Sequence, residues 1–344
     1  MASCSCEMPN GMTAENRQSK NPYINIHNVK LRGIVHSDDG ETAIVVGSTG
    51  ECSFIGVVDW STGELLDEVL GGDGESNCIT RLPLTQCFVV STENILRVFR
   101  QDKDTKKLVE IDQPPKRHTN TVVSIAVSNN GRMIATSSWN QIVCIWDVDL
   151  ITGVITSMGD RKLIHPKWVH AVAWSPVDEH ILATACHDGH VRLFDMRVGD
   201  EAVATMDKIS GDRVYNSTTC LEFDPRDGAT IAVGYYGDGL IVLWDSKAPY
   251  AICGKPVMAH NGVRRLRYSP CGTMIVTTGY NSTVKLWDSM GLELLDDALL
   301  RGHTNVVACI DFNPSDPSSL LTCDWDGGMR CWYLPECSGG AVPQ

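Results

Sequence analysis

The feature that most restricts the fold of this chain is a short unit that occurs several times along it. The copy at His165–Arg197 contains three apolar runs of strand length, Val169–Trp174, His180–Cys186 and His190–Asp195, with a tight Asp-Gly turn before the third. Apolar and polar residues alternate in the first and third runs, which is typical of half-buried antiparallel strands. Asp-Gly favours a two-residue hairpin, because Gly accepts the positive φ that the turn needs. A meander of three strands is too small to bury its own faces, so this unit has to pack against further copies.

Four further copies stand in register with the first. The third strand of each copy ends on an aromatic residue, and these aromatics are 43 to 50 residues apart: Trp146, Phe194, Trp244, Trp287 and Trp332. One period before Trp146 lies Phe99, and another period leads to a point near Val58, where two copies keep the strand pattern without a Trp-Asp pair. This period, with His near its start and Trp-Asp at its end, resembles the WD-repeat family, whose repeats form propeller blades. The resemblance implies an all-β fold, a seven-bladed WD40 β-propeller.

The last copy ends at its third strand, Met329–Leu334, and so lacks an outer strand. In the family that this chain resembles, an N-terminal strand completes the last blade, and the matching segment here lies around Tyr23–Ile26. Ring closure protects sheet edges that would otherwise pair with other chains. We therefore expect a single propeller at residues 21–335, a disordered polar leader at 1–20 and a flexible tail at 336–344.

The resemblance also implies a structural role for four polar or aromatic positions of each repeat. In the family, a loop His, a strand Ser or Thr, a turn Asp and a strand Trp form a hydrogen-bonded chain. Asn140 and Asn281 stand at turn Asp positions and Phe194 at a Trp position, so we expect apolar packing to hold the blades more than complete networks. The C-terminal copy is the fullest, with Thr322 as its hydroxyl. The residues expected to be structural, rather than catalytic or metal-binding, are His118, His165, Asp188, Asp238, His260, His303, Asp326 and Trp332.

The charge balance bears on the class of partner. The chain has 29 basic and 42 acidic residues, a net charge of −13. This balance disfavours non-specific nucleic-acid binding and favours attraction of basic partners such as Arg-rich tails. No apolar run approaches the roughly 18 residues that span a bilayer, and the N-terminal residues lack the pattern of a secretory signal. Fourteen cysteines without such a signal predict free thiols in a reducing compartment, so we expect a cytoplasmic and nuclear protein.

No catalytic or cofactor-binding motif has the spacing that its chemistry needs. The sequence contains no G-x-S-x-G, H-E-x-x-H or G-x-x-x-x-G-K-[ST] motif. The glycine-rich segment Gly71–Ser76 lies between two strands, so we interpret it as a hairpin loop rather than a phosphate-binding loop. Cys4, Cys6, Cys331 and Cys337 lack the paired C-x-x-C framework of a zinc site. We therefore predict that the protein is not an enzyme and has no cofactor or metal.

Aromatic side chains in loops are the feature that strand packing does not require. Most of them stand at the turn between the second and third strands of several copies, and Trp168 follows the structural His165 of its own blade. In a propeller these turns lie along one rim of the central channel. Large rigid rings are what binding hot spots and aromatic cages use. The alternative is that each ring only covers its own loop. The residues predicted to form a shared partner-binding face are Trp139, Trp168, His187, Tyr236, Tyr280 and Trp325, with Tyr235 in the same loop as Tyr236.

Loop lengths are similar to those of a narrower family, the WD-repeat subunit of the methylosome, which accompanies the symmetric-dimethylating protein arginine methyltransferase. Val35–Val58 resembles its degenerate first blade, and Ile95–Val123 and Ser319–Pro335 have similar lengths. The resemblance implies a non-catalytic adaptor that docks the methyltransferase on its N-terminal blades and presents Arg-rich substrates such as histones. That family presents a first-blade Trp to its enzyme; the matching position here is Val58, and Trp60 follows two residues later.

Two other functions remain open from the sequence. The ending RLFDMR, Arg192–Arg197, resembles the Asp-x-Arg box with which some WD-repeat substrate receptors meet a cullin-type ubiquitin ligase, which makes Arg197 a candidate contact. The loop aromatics also suit a reader of methyl-lysine or of another peptide group.

Overall fold

The chain folds into a ring of small β-sheets. The computed structural model describes residues 23–50, 52–83, 85–206, 217–248, 256–296 and 300–334. Within these ranges there are 28 strands and no helix, and the strands form seven four-stranded antiparallel sheets. This arrangement is a seven-bladed β-propeller, which confirms the predicted fold class. The predicted leader at 1–20 and the predicted tail at 336–344 lie outside the described residues.

Strands are numbered along the chain, and β1 (Tyr23–Asn25) belongs to the last blade. Each of the other blades takes four consecutive strands, with the first strand nearest the axis. Blade 1 consists of β2 (Lys30–His36), β3 (Thr42–Thr49), β4 (Cys52–Asp59) and β5 (Glu64–Asp73). Blade 2 consists of β6 (Ser76–Arg81), β7 (Cys87–Thr92), β8 (Ile95–Gln101) and β9 (Leu108–Asp112). Blade 3 consists of β10 (Val122–Val127), β11 (Met133–Ser138), β12 (Ile142–Val148) and β13 (Ile155–Ile164).

The remaining blades follow the same order. Blade 4 consists of β14 (Val169–Trp174), β15 (Ile181–Cys186), β16 (Val191–Asp195) and β17 (Ala202–Met206). Blade 5 consists of β18 (Thr218–Phe223), β19 (Thr230–Tyr235), β20 (Leu240–Asp245) and β21 (Val257–Met258). Blade 6 consists of β22 (Val263–Tyr268), β23 (Met274–Gly279), β24 (Val284–Asp288) and β25 (Leu294–Asp296). Blade 7 consists of β26 (Val307–Phe312), β27 (Ser319–Asp324), β28 (Gly328–Tyr333) and β1. We call the face with the loops between blades and the turns between second and third strands the upper face, and the opposite face the lower face.

The N-terminal strand closes the ring, as predicted. In β1, Tyr23 pairs with Arg330, Ile24 with Met329 and Asn25 with Gly328 of β28. The Ile24 side chain is buried in an apolar cluster that joins blade 7 to blade 1. The Arg330 guanidinium lies 4.6 Å from the centre of the Tyr23 ring. One short strand therefore completes a sheet and seals the junction between the first and last blades.

The apolar core is divided among the junctions between blades. Seven clusters of buried side chains occur in the described residues, and each draws its members from two neighbouring blades. The second strand of a blade is consequently buried along almost its whole length, as β7 and β11 show. Because both faces of each sheet are covered, these strands show no alternation of buried and exposed residues, and they consist of apolar residues followed by buried Ser and Thr.

A β-bulge occurs at the same place in the first strand of every blade. In β22, for example, the pairing register shifts between Val263 and Arg265, so that Arg264 is the additional residue. A bulge bends its strand and redirects side chains that would otherwise alternate between the two faces. The other six shifts span 31–33, 76–78, 122–124, 169–171, 218–220 and 307–309.

The glycine-rich segment is not the predicted hairpin loop. Strand β5 runs to Asp73 and β6 begins at Ser76, so the segment joins the outer strand of blade 1 to the inner strand of blade 2. Gly71, Gly72 and Gly74 have φ values of 137°, 90° and 100°. Glycine is needed because this reversal uses backbone conformations that other residues rarely adopt.

Ile24→Ala should lower the free energy of unfolding by about 2 to 4 kcal/mol, because it removes buried apolar volume from the seal between blades 7 and 1. Urea denaturation followed by tryptophan fluorescence measures this change. Val109→Ala is the matched control, since Val109 lies on the outer strand of blade 2 and is 57% exposed. Equal losses in the two variants would contradict a sealing role for β1.

Candidate functional site

Three blades contain a complete chain of His, Thr and Trp. In blade 7, the indole N–H of Trp332 donates to Thr322 Oγ1 over 2.7 Å, and Thr322 Oγ1 lies 2.6 Å from His303 Nε2. The same chain joins His118, Thr136 and Trp146 in blade 3, and His260, Thr277 and Trp287 in blade 6. The sequence predicts the fullest network for blade 7, and in blades 3 and 6 the turn Asp is replaced by Asn140 and Asn281, as the sequence indicates, while the other three members are joined.

In blade 7 the carboxylate that contacts the histidine is not the predicted one. His303 Nδ1 lies 2.7 Å from Asp324 Oδ2, whereas Asp326 accepts hydrogen bonds from the Thr304 and Asn305 side chains. Asp324 is the last residue of β27 and is fully buried, so its side chain reaches the imidazole. Asp326 lies in the following turn, and its side chain holds the loop that enters blade 7.

Blade 4 departs from the family pattern at its turn carboxylate. Asp188 pairs with Arg192 across 2.6 Å. His165 Nε2 lies 2.9 Å from Thr184 Oγ1, and its Nδ1 lies 3.1 Å from the Leu163 carbonyl oxygen instead of a turn carboxylate. Phe194 replaces the tryptophan and packs its ring 5.4 Å from the imidazole. Asp188 therefore orders its own turn instead of completing the histidine network.

The turn positions of blades 5 and 6 also differ from the family pattern. In blade 6, His260 Nδ1 lies 2.8 Å from Thr283 Oγ1, which in turn donates to Asn281. In blade 5, Asp238 lies in the turn between β19 and β20, and no histidine precedes the first strand of that blade. Asp238 therefore has no structural histidine of its own blade to contact.

Burial keeps the network histidines neutral at pH 7. It is the main cause that lowers the pKa of His118, His165 and His260 to about 4. A neutral ring can donate from Nδ1 and accept at Nε2, which fits the direction of the chain that starts at the tryptophan N–H. Among the residues that the structure describes, no group of three or more His, Cys, Asp or Glu side chains is arranged to hold a metal ion.

The predicted loop aromatics come together on the upper face. Trp139 and Trp168 have ring centres 5.8 Å apart, and Trp168 and His187 have centres 5.2 Å apart. Tyr236 lies 5.1 Å from Tyr280, which lies 6.4 Å from Trp325. We call these six residues the aromatic face. It extends over blades 3 to 7 as two groups of three, Trp139 with Trp168 and His187, and Tyr236 with Tyr280 and Trp325. Within each group the rings contact one another rather than each covering only its own loop.

One repeated backbone hydrogen bond positions most of these rings. The N–H of the first turn residue after the second strand donates to a carbonyl just before the first strand of the same blade. Trp139 donates to Thr121 over 3.1 Å, and Tyr236 donates to Ser217 over 2.9 Å. His187, Tyr280 and Trp325 make the equivalent bond, and in blade 2 Glu93 does so. Five blades thus place a ring at the same height, which is why sequence register alone identified the face.

Individual rings differ in their accessibility. The exposed fractions of Trp139, Trp168 and Tyr236 are 40%, 45% and 46%. Trp325 is less free, because the Lys30 ammonium lies 4.4 Å from the centre of its ring. Tyr235, predicted for the same loop as Tyr236, is instead the last residue of β19 and is buried, which raises the pKa of its phenol to about 12. It belongs to the core and not to the face.

Two predicted partner-binding residues lie on the opposite, lower face. Trp60 follows β4, and its indole N–H donates to the Gly40 carbonyl over 2.8 Å. Arg197 follows β16 and forms ion pairs of 2.8 Å with Asp195 and 3.0 Å with Asp178, while its side chain stays 53% exposed. Neither residue joins the aromatic face.

The cysteines depart from the prediction at one position. Nine described cysteines are free, but Cys271 is disulfide-bonded. Burial raises the pKa of the Cys78 thiol to about 12 and that of Cys220 to about 11, so both stay protonated at neutral pH. Buried, protonated thiols of this kind are poor nucleophiles.

Comparison with known proteins agrees with the fold. The protein-family model described as "WD domain, G-beta repeat" matches residues 113–147, 161–195, 253–288 and 297–333. These segments belong to blades 3, 4, 6 and 7, the blades with a network histidine, and the sheet pattern extends to the three blades that the model does not match.

Several curated proteins are similar over part of their length. The chain is 29% identical to the "Guanine nucleotide-binding protein subunit beta" of Arabidopsis thaliana over 60% of this chain and 54% of that protein. It is 26% identical to "Protein SPA1-RELATED 4" of Arabidopsis thaliana over 53% and 22%, respectively. It is 25% identical to "GATOR2 complex protein WDR24" of Xenopus laevis over 63% and 27%. The chain thus spans about half of the first relative and about a quarter of the other two.

Thr322→Val should lower the free energy of unfolding by about 2 to 4 kcal/mol, because it leaves the His303 Nε2 and the Trp332 N–H buried without partners. Thr184→Val is the control: blade 4 has Phe194 in place of the tryptophan, so only His165 loses a partner. Urea denaturation compares the two variants. A loss at Thr184 as large as that at Thr322 would contradict the role of the indole bond.

Stability should also fall as the pH is lowered from about 6.5 towards 4. The folded chain keeps His118, His165 and His260 neutral down to about pH 4, whereas the unfolded chain protonates them below their ordinary pKa of 6.5. The unfolded state therefore binds more protons throughout this window. Urea midpoints at pH 7, 6 and 5 measure the slope, and His118→Gln should reduce it. An unchanged slope in that variant would contradict this account.

Proposed function

This chain belongs to the WD-repeat family, and we propose that it is a non-catalytic scaffold that binds a partner protein across its aromatic face. The observation that carries this proposal is the convergence of six rings from blades 3 to 7 on one face. Trp139 and Trp168 touch each other while remaining nearly half exposed. Rings in such an arrangement bury a large apolar area on binding, with little loss of side-chain freedom.

We propose further that the assembly is a protein arginine methyltransferase complex of the methylosome type. The similar loop lengths and the net charge of −13, which attracts Arg-rich substrates such as histones, support this proposal. The enzyme contact implied by the resemblance does not transfer to Val58, because Val58 is buried between blades 7 and 1. Trp60 is a partly exposed aromatic of the first blade, so we propose that the enzyme docks around it on the lower face, away from the aromatic face.

Two tagged variants separate the general proposal from the specific one. Trp139→Ala/Trp168→Ala should lose at least one protein that co-purifies with the wild type, because the two exposed rings supply its contact area. Trp60→Ala is the matched aromatic substitution on the other face and should lose the methyltransferase. Quantitative mass spectrometry of complexes isolated at physiological salt makes the measurement, and equal urea midpoints establish that both variants fold.

The outcomes are distinct. Recovery of the same proteins by the double variant and the wild type would contradict binding on the aromatic face. A wild-type complex without any methyltransferase would contradict the methylosome assignment and leave the scaffold proposal standing.

A further inference from the structure

The first strands of the blades enclose a central channel with a cavity of about 330 Å³. In each blade the residue that follows the bulge lines this cavity, and in six blades that residue is small. The seven residues are Gly33, Cys78, Ser124, Ala171, Cys220, Arg265 and Cys309. Arg265 is thus the only long side chain among these seven residues, and the ion-paired side chains of Arg32, Arg267 and Glu222 line the same cavity.

The bulge in β22 brings a second arginine to the same place. In a regular strand Arg264 and Arg265 would point to opposite faces, but Arg264 is the additional residue of the bulge. Both guanidinium charges act on the thiols of Cys78 in blade 2 and Cys220 in blade 5, where they oppose the rise in pKa that burial causes. Arg265 lines the channel, and Arg264 acts on the same two thiols from the preceding position of the bulge at its upper end.

Within the described part of the chain, neither guanidinium has an ion pair or a hydrogen bond. The Arg264 Nε is buried without any partner. Burial, and then the repulsion from Arg265, lower the pKa of Arg264 to about 10, so it remains charged at neutral pH. Buried charges in proteins are normally paired, because desolvation is costly.

Other arginines of the inner strands are neutralised by the chain itself. Arg267, two residues below Arg265, forms a 3.0 Å ion pair with Glu222 of the neighbouring blade. Arg32 pairs with Glu75 at the upper mouth. Among the described residues, carboxylates therefore pair with these two neighbours, and none pairs with Arg264 or Arg265.

We propose that Arg264 and Arg265 form a binding site for a phosphate group at the upper mouth of the channel. Two adjacent guanidinium groups match the charge of a phosphate dianion, and their N–H donors suit its oxygen atoms. The cavity that Arg265 lines lies within the size range of small-ligand sites, and Arg264 precedes Arg265 in the bulge at its upper end. A bound phosphate would offset the repulsion within the pair and provide an acceptor for the Arg264 Nε.

The location of the site relates it to the aromatic face. Arg264 interacts electrostatically with Tyr280, and both arginines help to lower the pKa of His170, whose Nε2 lies 3.1 Å from His187 Nδ1. A phosphate at the mouth is thus bordered by the aromatic face. It can be a free phosphate compound or a phosphorylated side chain of a protein that docks there. The site depends only on the channel geometry, so it does not rest on the identity of the partner.

The first experiment uses inorganic phosphate and the full chain. Thermal unfolding is recorded over increasing phosphate, with sodium chloride at equal ionic strength as reference. The wild type should show a saturable rise in Tm, because a ligand that binds only the folded state stabilises it. Arg264→Gln and Arg265→Gln should each weaken the apparent affinity by about tenfold or more. Arg132→Gln, which removes an exposed arginine on the lower face, should behave as the wild type does.

A second readout separates a binding role from a structural one. Without phosphate, Arg264→Gln should have a Tm equal to or above that of the wild type, because the substitution removes an unpaired charge and its repulsion from Arg265. A structural arginine would instead lower Tm when replaced. The proposal is overturned if phosphate stabilises the wild type no more than chloride does, or if all three variants respond to phosphate as the wild type does.

A competition arm identifies the source of the phosphate. A phosphoserine peptide library that displaces inorganic phosphate better than its unphosphorylated form, and loses this advantage in Trp168→Ala, supports a docked phosphoprotein. Equal displacement by phosphoserine alone and by the library supports a free phosphate compound at the same two arginines. Failure of every phosphorylated probe to displace inorganic phosphate would overturn the site.

Discussion

The pairing of β1 with β28 is the constraint on which the rest of the structure depends. Each sheet has two apolar faces, and each face is covered only by a neighbouring blade. An open array of seven sheets would leave the outer faces of its first and last members in water, together with unpaired strand edges. Three residues at Tyr23–Asn25 join the two ends of the array, and the ring then fixes the radius of the channel and the spacing of the turns on the upper face.

Much of this architecture could be predicted because it repeats. The number of blades and the alignment of the loop aromatics follow from register, since equivalent positions in successive blades occupy equivalent places in the ring. The closing strand is implied by the resemblance to the WD-repeat family. Features that depend on a shift of one or two residues could not be predicted. His303 contacts Asp324 instead of Asp326 because the end of β27 is closer to the imidazole than the turn is. Tyr235 ends a strand, whereas Tyr236 begins a turn.

The bulges explain why the two arginines of the channel could not be predicted from the sequence. Alternation assigns Arg264 and Arg265 to opposite faces, and only the register shift in β22 places both near the axis. The net charge of −13 does not describe the electrostatic potential at the channel mouth. It is a sum over the whole chain, whereas the potential at the mouth depends on the few charged residues of the inner strands nearby. A ring amplifies this difference, since seven strands direct side chains at one small volume.

The contact between Lys30 and Trp325 limits what the aromatic face can recognise. A methylated lysine from another protein would need the same indole surface that the Lys30 ammonium already covers at 4.4 Å. Lys30 is then an intramolecular competitor with an effective concentration on the order of millimolar or higher, as is usual for closely tethered groups. A ligand prevails only if its additional contacts exceed what the lysine loses on leaving. The Trp325 end of the face thus discriminates against weak cationic ligands, whereas the Trp139–Trp168 end has no such internal rival among the described residues.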